Sequence, residues 1–279
     1  MNKINHRGGN MLPQIQNYPK LNLSDVRLLA QKKEEGYEKQ LLVFQTPFGY
    51  RRMAELFIPE GTGPFPAILY VHWYEPESRD SNRSQFVEEA IEMVKGGMIC
   101  LTVETLWSDP DFFLKRTQAD DMKASIEEAI NLRRFMDFLL EQPNVDPKRF
   151  AYVGHDFGGM HGALAGSVDK RPTHYVIMAA TPRFPDWYLY LPKLEGEARE
   201  TFISQMAEID PITHIPNLHP ASIFFQFGNN DPHVPVERVD EFFAAAKKPK
   251  EMKIYEAGHG LNEESTQDRK VWLKSQLSL

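Results

Sequence analysis

Cysteine is almost missing: Cys100 is the single one among 279 residues. A disulfide framework within the chain is therefore excluded. Cys100 sits in the apolar run Met98-Ile99-Cys100-Leu101-Thr102-Val103, so a buried structural thiol is expected. No apolar stretch approaches the roughly 20 residues that a membrane-spanning helix needs. Residues 1–16 have no apolar core of a signal peptide. No membrane association and a cytoplasmic location are the expectations. Positive charge is in short supply, with 32 basic residues against 39 acidic and a net charge of −7. That balance argues against nucleic acid as a partner. The one basic cluster, Lys247-Lys248-Pro249-Lys250, reads as a solvated loop. Histidines 72, 155, 161 and 259 lack ligand spacing such as H-x-x-x-H with a nearby carboxylate, so no metal site is expected.

The chain is long enough for a sizeable core, and 42% of it is hydrophobic. Residues 1–279 are read as a single domain. Residues 1–39 form an N-terminal arm and a helix over 23–35, capped by Ser24 or Asp25, with Val26, Leu29 and Ala30 on one face. Segments 41–46 and 51–58 flank Pro47-Phe48-Gly49 and predict an antiparallel hairpin. A regular alternation follows. Short apolar runs at 67–72, 98–103, 149–154, 175–180, 221–227 and 252–255 predict buried strands. Helical spacing predicts helices over 84–95, 120–141, 158–167, 236–246 and 263–277. Asp120-Asp121 fits the acidic start of one of them. Strands alternating with helices predict an α/β fold: a mostly parallel sheet covered on both faces. Residues 183–216 interrupt the pattern with aromatics and prolines. They are read as a small cap above the C-terminal ends of the strands, where ligands bind in open α/β sheets.

The chemistry concentrates at one turn. A buried strand, Phe150-Ala151-Tyr152-Val153, runs straight into Gly154-His155-Asp156-Phe157-Gly158-Gly159. A helix with Gly162, Ala163, Ala165 and Gly166 follows. A side chain held on a sharp strand-to-helix turn needs unusual backbone angles and tiny neighbours two residues away on each side. Gly154 and Gly158 meet that need around Asp156. Downstream come Asp231, in Gly228-Asn229-Asn230-Asp231-Pro232-His233, and then His259, in Ala257-Gly258-His259-Gly260. Each follows a predicted strand.

Nucleophile, acid, then histidine is the chain order of the α/β-hydrolase superfamily, which this chain resembles over residues 40–279. Val145-Asp146-Pro147-Lys148-Arg149, Asp210-Pro211-Ile212 and the loop 228–234 look like its dienelactone-hydrolase and acyl-peptidase-like branch. The departure is Asp156, where most relatives carry serine. In that respect the chain is similar to haloalkane dehalogenases and epoxide hydrolases. The resemblance implies the α/β-hydrolase fold, a small-molecule substrate and no cofactor. It also implies an oxyanion hole from the backbone N–H of Phe157 and of Trp73 or Tyr74. His72-Trp73-Tyr74-Glu75-Pro76 occupies the place of the family's His-Gly segment without its glycine.

An aspartate changes the chemistry that serine would do. Asp156 at a helix N-terminus is expected to be an anion already. Attack on an ester would give a high-energy anhydride. Attack on an sp³ carbon bearing a leaving group would give an ordinary alkyl ester. His259, oriented by Asp231, would then activate water to hydrolyse it. The expected substrates are epoxides or organohalides. Ester or lactone hydrolysis with Asp156 as a base stays open, as does a non-catalytic binding protein. Dehalogenases place a tryptophan directly after the aspartate, and here Phe157 stands there. Trp107 and Trp73, or Trp187, Tyr188 and Tyr190 in the cap, are the candidate donors to a leaving group. His72, Trp107, Trp187, Tyr188 and Tyr190 are the expected pocket residues. His155 and His161 are read as packing residues, His72 also as structural, and His233 as a brace for the acid loop.

Overall fold

A computed structural model describes residues 12–78 and 80–277. Its strands are β1 (Val26–Glu34), β2 (Tyr37–Gln45), β3 (Arg51–Pro59), β4 (Phe65–Val71), β5 (Ile99–Val103), β6 (Val145–His155), β7 (His174–Met178), β8 (Ser222–Gly228) and β9 (Lys250–Tyr255). They join in one sheet in the order β1-β2-β3-β5-β4-β6-β7-β8-β9. The first three run antiparallel, and β3 pairs antiparallel with β5. From β5 to β9 every pairing is parallel.

Parallel strands need helical crossovers, and these cover both faces. The period of two along each strand divides its residues between two cores. In β4, Leu69 and Val71 join one core, under the helices Gln118–Leu140 and Phe157–Val168. Ile68 and Tyr70 join the other, with Met93 and Val94 of Val87–Lys95 and Trp272 and Leu273 of Glu263–Gln276. Cys100 is buried in this second core, free of any disulfide. No helix among the described residues is long and apolar enough to cross a membrane. This is the α/β-hydrolase fold.

The helix expected over 23–35 is not there. A 3-10 turn, Leu23–Asp25, capped by Asn22, leads into β1. That strand pairs along β2 from Val26↔Phe44 to Glu34↔Tyr37, with a bulge between Leu28 and Ala30. Of the expected helix face, Leu29 and Ala30 stay exposed and only Val26 packs against the core. Hairpin pairing through Glu35-Gly36 satisfies the backbone instead. Of the loose arm expected over 1–22, residues 1–11 lie outside the described residues, whereas 12–22 hold the helix Leu12–Gln16 and bury Ile15, Tyr18 and Leu21 in the first core. Lys250, read as part of a solvated loop, opens β9 and lies over the Phe243 ring at 4.3 Å. The interruption between β7 and β8 holds the helices Pro185–Tyr188, Gly196–Met206 and Pro211–His214.

Candidate active site

β6 ends at His155, and the helix Phe157–Val168 starts at once. Asp156 lies between them at φ 50° and ψ −115°, a region that L-residues avoid. Two close approaches hold it there. A Cβ on Gly158 would collide with the Val71 carbonyl of β4, and one on Gly154 would meet the Gly158 backbone. The Asp156 N–H donates to the Met178 carbonyl at 2.8 Å, and its own carbonyl accepts the first helical bond from Met160 N–H at 2.9 Å. With the backbone pinned on both sides, the side chain projects where β6 ends.

Two loops bring partners to it. Asp231 follows β8 and His259 follows β9. His259 Nδ1 bonds Asp231 Oδ2 at 2.7 Å, so the ring nitrogen donates and the carboxylate accepts. Asp231 Oδ1 accepts from the N–H groups of His233 at 2.8 Å and Val234 at 3.2 Å. The other face of the imidazole looks to the elbow: Nε2 is 3.8 Å from Asp156 Oδ2, within ion-pair reach but too long for a hydrogen bond. Asp156 is 1% exposed, and its Oδ1 has no hydrogen-bond partner among the described residues.

The electrostatics follow from burial and these neighbours. Burial disfavours a charged His259, but the carboxylates of Asp156 and Asp231 outweigh it and push the imidazole up to about 9. Burial pushes the Asp156 carboxyl up from 3.8, against the pull of His259 and the Phe157 amide. Burial also acts on Asp231, but His259 and the two loop amides hold it below its ordinary value. The two flanking carboxyl groups thus favour the protonated form of His259.

A cleft of ~350 Å³ opens onto Asp156 and His259. Its walls include Trp73, Tyr74 and Glu75 after β4, and Trp187, Tyr190 and Leu191 between β7 and β8. Phe113, Phe157 and His233 complete most of the remainder. Among the described residues no group of His, Cys, Asp and Glu could hold a metal ion.

The description of the prolyl oligopeptidase family matches residues 118–278, which include the elbow, Asp231 and His259. The chain belongs to the prolyl oligopeptidase family. No curated protein matches it. Among solved structures, acetyl xylan esterase 1 from Thermoanaerobacterium sp. JW/SL YS485 superposes with a TM-score of 0.75 at 15% identity, covering 96% of this chain and 92% of that one. An acetyl xylan esterase from Paenibacillus sp. R4 gives 0.75 at 16% identity, covering 95% and 99%. A protein assigned as a dienelactone hydrolase from Klebsiella pneumoniae subsp. pneumoniae MGH 78578 gives 0.59 at 16%, covering 82% and 94%. At such identities the likeness is one of fold.

In this member of the prolyl oligopeptidase family, several residues expected in the pocket lie elsewhere. Trp187 and Tyr190 line the cleft, and Trp187 Nε1 is a buried donor with no partner among the described residues. Tyr188 does not line it. Its ring is buried against Phe184, and its hydroxyl pairs with Ser125 Oγ at 2.8 Å. Trp107 is buried beneath Phe157, with Nε1 donating to the His72 carbonyl at 2.8 Å. His72 itself points away, bonding Ser108 Oγ at 2.7 Å and Thr105 Oγ1 at 3.0 Å. Burial lowers its basicity to about 4. His72 and Trp107 are drawn inward where the loops after β4 and β5 pack on each other, and Tyr188 where its helix packs on Phe184 and Ser125.

The expected hole donors also divide. Trp73 N–H is taken by Gln85 Oε1 at 3.1 Å, so it is not available to a ligand. Among the described residues no acceptor meets the Tyr74 N–H. Gln85 Nε2 donates to His155 Nδ1 at 2.6 Å, and His155 Nε2 then donates to the His259 carbonyl at 2.9 Å. The carbonyl can only accept, so His155 carries its proton on Nε2 and is neutral. Burial also lowers its basicity well below the ordinary range. This chain of bonds links the loop after β4, the elbow and the His259 loop. Gln85 gave no sequence clue, being twelve residues from the amide it holds. Glu75, Phe113 and His233 were missed as cleft residues because loop direction decides which side chains turn inward.

Proposed function

We propose that this chain is a cofactor-free hydrolase that opens an sp³ carbon–oxygen bond, as in an epoxide, through a covalent ester on Asp156. One observation carries the reading. The Asp156 carboxyl is buried on the elbow with one oxygen unpartnered among the described residues, beside a cleft lined by Trp187, whose buried indole N–H is likewise unpartnered among them. A carboxylate attacks without a base and forms a normal ester with an alkyl carbon.

The resting charges favour an oxygen leaving group. As Asp156 bonds to carbon, the C–O bond breaks and the oxygen becomes an alkoxide. His259, held protonated by its two carboxylates, gives that alkoxide its proton, and Trp187 Nε1 can donate a hydrogen bond to it. His259 is now neutral and can accept a proton from water as the water attacks the Asp156 carbonyl carbon. The N–H groups of Phe157 and Tyr74 would hold the resulting oxyanion. Collapse expels the second oxygen of the diol, which takes the proton of the Asp156 acid. Carboxylate and imidazolium are restored, and epoxide plus water has become diol. A halide needs no proton, and Phe157 offers it no donor, so organohalides fit the same site less well.

The esterase names of the structural neighbours favour a second reading. In it Asp156 takes a proton from a water lying between its carboxylate and His259, that water attacks an ester, and His259 protonates the leaving alkoxide. A single turnover in oxygen-18 water separates the two. The covalent reading expects label in the peptide carrying Asp156; turnover without label there overturns it and leaves the base mechanism. A chain that turns over no epoxide, halide or ester would be a binding protein.

A further inference from the structure

The cleft pairs aromatic walls with negative charge. Trp73, Tyr74, Trp187 and Tyr190 line it, and so do the acidic residues Glu75 and Asp156. Neither lysine nor arginine is among its lining residues. The neighbouring arginines are already matched: Arg116 pairs with Asp121 at 2.6 Å, and Arg238 pairs with Asp186 at 3.1 Å and Glu241 at 3.2 Å. Asp156 and Asp231 both flank the His259 imidazole, so the one basic ring faces two acidic side chains, and Glu75 is a third in the cleft.

We infer that this cleft selects a substrate carrying an alkylated ammonium group a few atoms from the reacting carbon. The inference names the substrate class for the reaction proposed above and rests on that reading only for the reaction, not for binding. Aromatic faces attract a cation through their quadrupole, most strongly when water is excluded. An alkylated ammonium is bulky and weakly hydrated, so it gains from both the rings and the carboxylates. A neutral molecule of the same shape gains only from the apolar walls, and an anion is repelled. Asp156 adds a second mark of a ligand site: its Oδ1 is buried and has no partner among the described residues. Glu75 sits one residue after Tyr74, and its Oε1 accepts the Glu77 N–H at 3.3 Å. The ammonium would therefore sit among the rings near Glu75, with the electrophilic carbon toward Asp156.

The test uses a matched pair, choline and 3,3-dimethyl-1-butanol, which differ in one charged nitrogen against a carbon. Binding is read by quenching of tryptophan fluorescence, since Trp73 and Trp187 line the cleft, with ionic strength matched by sodium chloride. Wild-type protein should bind choline about 10-fold more tightly than the neutral alcohol. Glu75→Gln should reduce that preference several-fold and leave the alcohol's affinity unchanged. Equal affinities in the wild type, or a preference untouched in Glu75→Gln, would overturn the inference. The circular dichroism spectrum of Glu75→Gln checks its fold, and if it is lost, Glu75→Asp, which retains the charge, should retain the preference. Binding requires no turnover, so a failed choline preference leaves the covalent ester standing. An absent oxygen-18 label with choline preferred would overturn only the ester.

Discussion

His259 Nε2 stands 3.8 Å from Asp156 Oδ2, while Nδ1 of the same ring is bonded to Asp231 at 2.7 Å. The imidazole is thus fixed by one carboxylate and kept short of the other. His259 Nε2 and Asp156 Oδ1 are both buried without partners among the described residues, which leaves a polar gap that a substrate oxygen or a water can fill.

That gap sets a pH dependence. The flanking carboxylates push the His259 imidazole up to about 9, so the proton it gives to an alkoxide is held up to that range and lost above it. Turnover of an epoxide should therefore fall as pH rises through about 9. On the acid side Asp156 must be ionised, and burial places its limb above the ordinary 3.8. The pH profile of kcat/KM for an epoxide reports both limbs. A basic limb near the ordinary histidine range would contradict the flanking-carboxylate arrangement. The same sign holds for stability: the folded value lies above the unfolded one, so His259 stabilises fully below about 6.5 and the contribution is lost as pH rises through about 9.

Replacing the base should separate the two steps. His259→Gln removes the group that activates water and the proton donor to an epoxide's alkoxide, but leaves the Asp156 carboxylate in place. The clean substrate for this test is therefore an alkyl halide, whose leaving group needs no proton. An ester adduct should accumulate, seen as a mass increase equal to the substrate's alkyl group on the Asp156 peptide. Steady-state turnover should drop by roughly 10²–10⁴-fold, the usual share of a general base. No adduct from an alkyl halide, which needs no proton from His259, would count against covalent attack.

The Gly158 position should be intolerant. A Cβ there runs into the Val71 carbonyl, backbone on both sides, so neither partner can rotate away. Gly158→Ala should cost about 3 kcal/mol or more, the upper range of overpacking, read as a lower midpoint in urea. Gly97→Ala is a useful contrast: nothing among the described residues lies within 4 Å of its Cβ, but its φ of 89° still strains any side chain. Its loss should come from backbone conformation and be smaller, about 1 kcal/mol.

The elbow was legible because its needs are local. Gly154 and Gly158, the strand before them and the small-residue helix after them all lie within 20 residues, and local sterics dictate each. The parallel core read well for the same reason, since strands buried on both faces are short and wholly apolar. Val26–Glu34 was misread because an edge strand with most of its side chains in water has no pattern of its own; pairing with β2 decides it. The inward or outward turn of Trp107, Tyr188 and Trp187 is set by contacts between loops far apart in the chain. Gln85 illustrates the limit: its meaning comes entirely from Trp73 and His155, which the fold alone brings to it.

Gln85 should matter to both stability and site order. Gln85→Leu keeps similar volume but strips partners from the Trp73 N–H and His155 Nδ1. An unmatched buried group costs about 1–3 kcal/mol, so the urea midpoint should fall accordingly. Hydrogen exchange at the Trp73 amide should speed up, since its acceptor is gone. Unchanged exchange would mean that the bond to Gln85 does not persist in solution.

Arg116 tests how the cleft wall is held. Its guanidinium bonds Asp121 at 2.6 Å and the Leu191 carbonyl at 2.6 Å, and it also donates to the Tyr188 carbonyl. It lies over the rings of Phe113 and Tyr188 at 5.3 and 4.8 Å. One planar fork thereby ties the segment bearing Trp187, Tyr190 and Leu191 to the body of the protein. Lysine retains the charge but cannot span the carboxylate and two carbonyls in one plane. Arg116→Lys should therefore leave the elbow and the His259–Asp231 bond intact while loosening the wall. KM should rise several-fold with kcat changed far less, because wall contacts bind ground state and transition state alike. A fall in kcat at constant KM would instead place Arg116 in the chemical step.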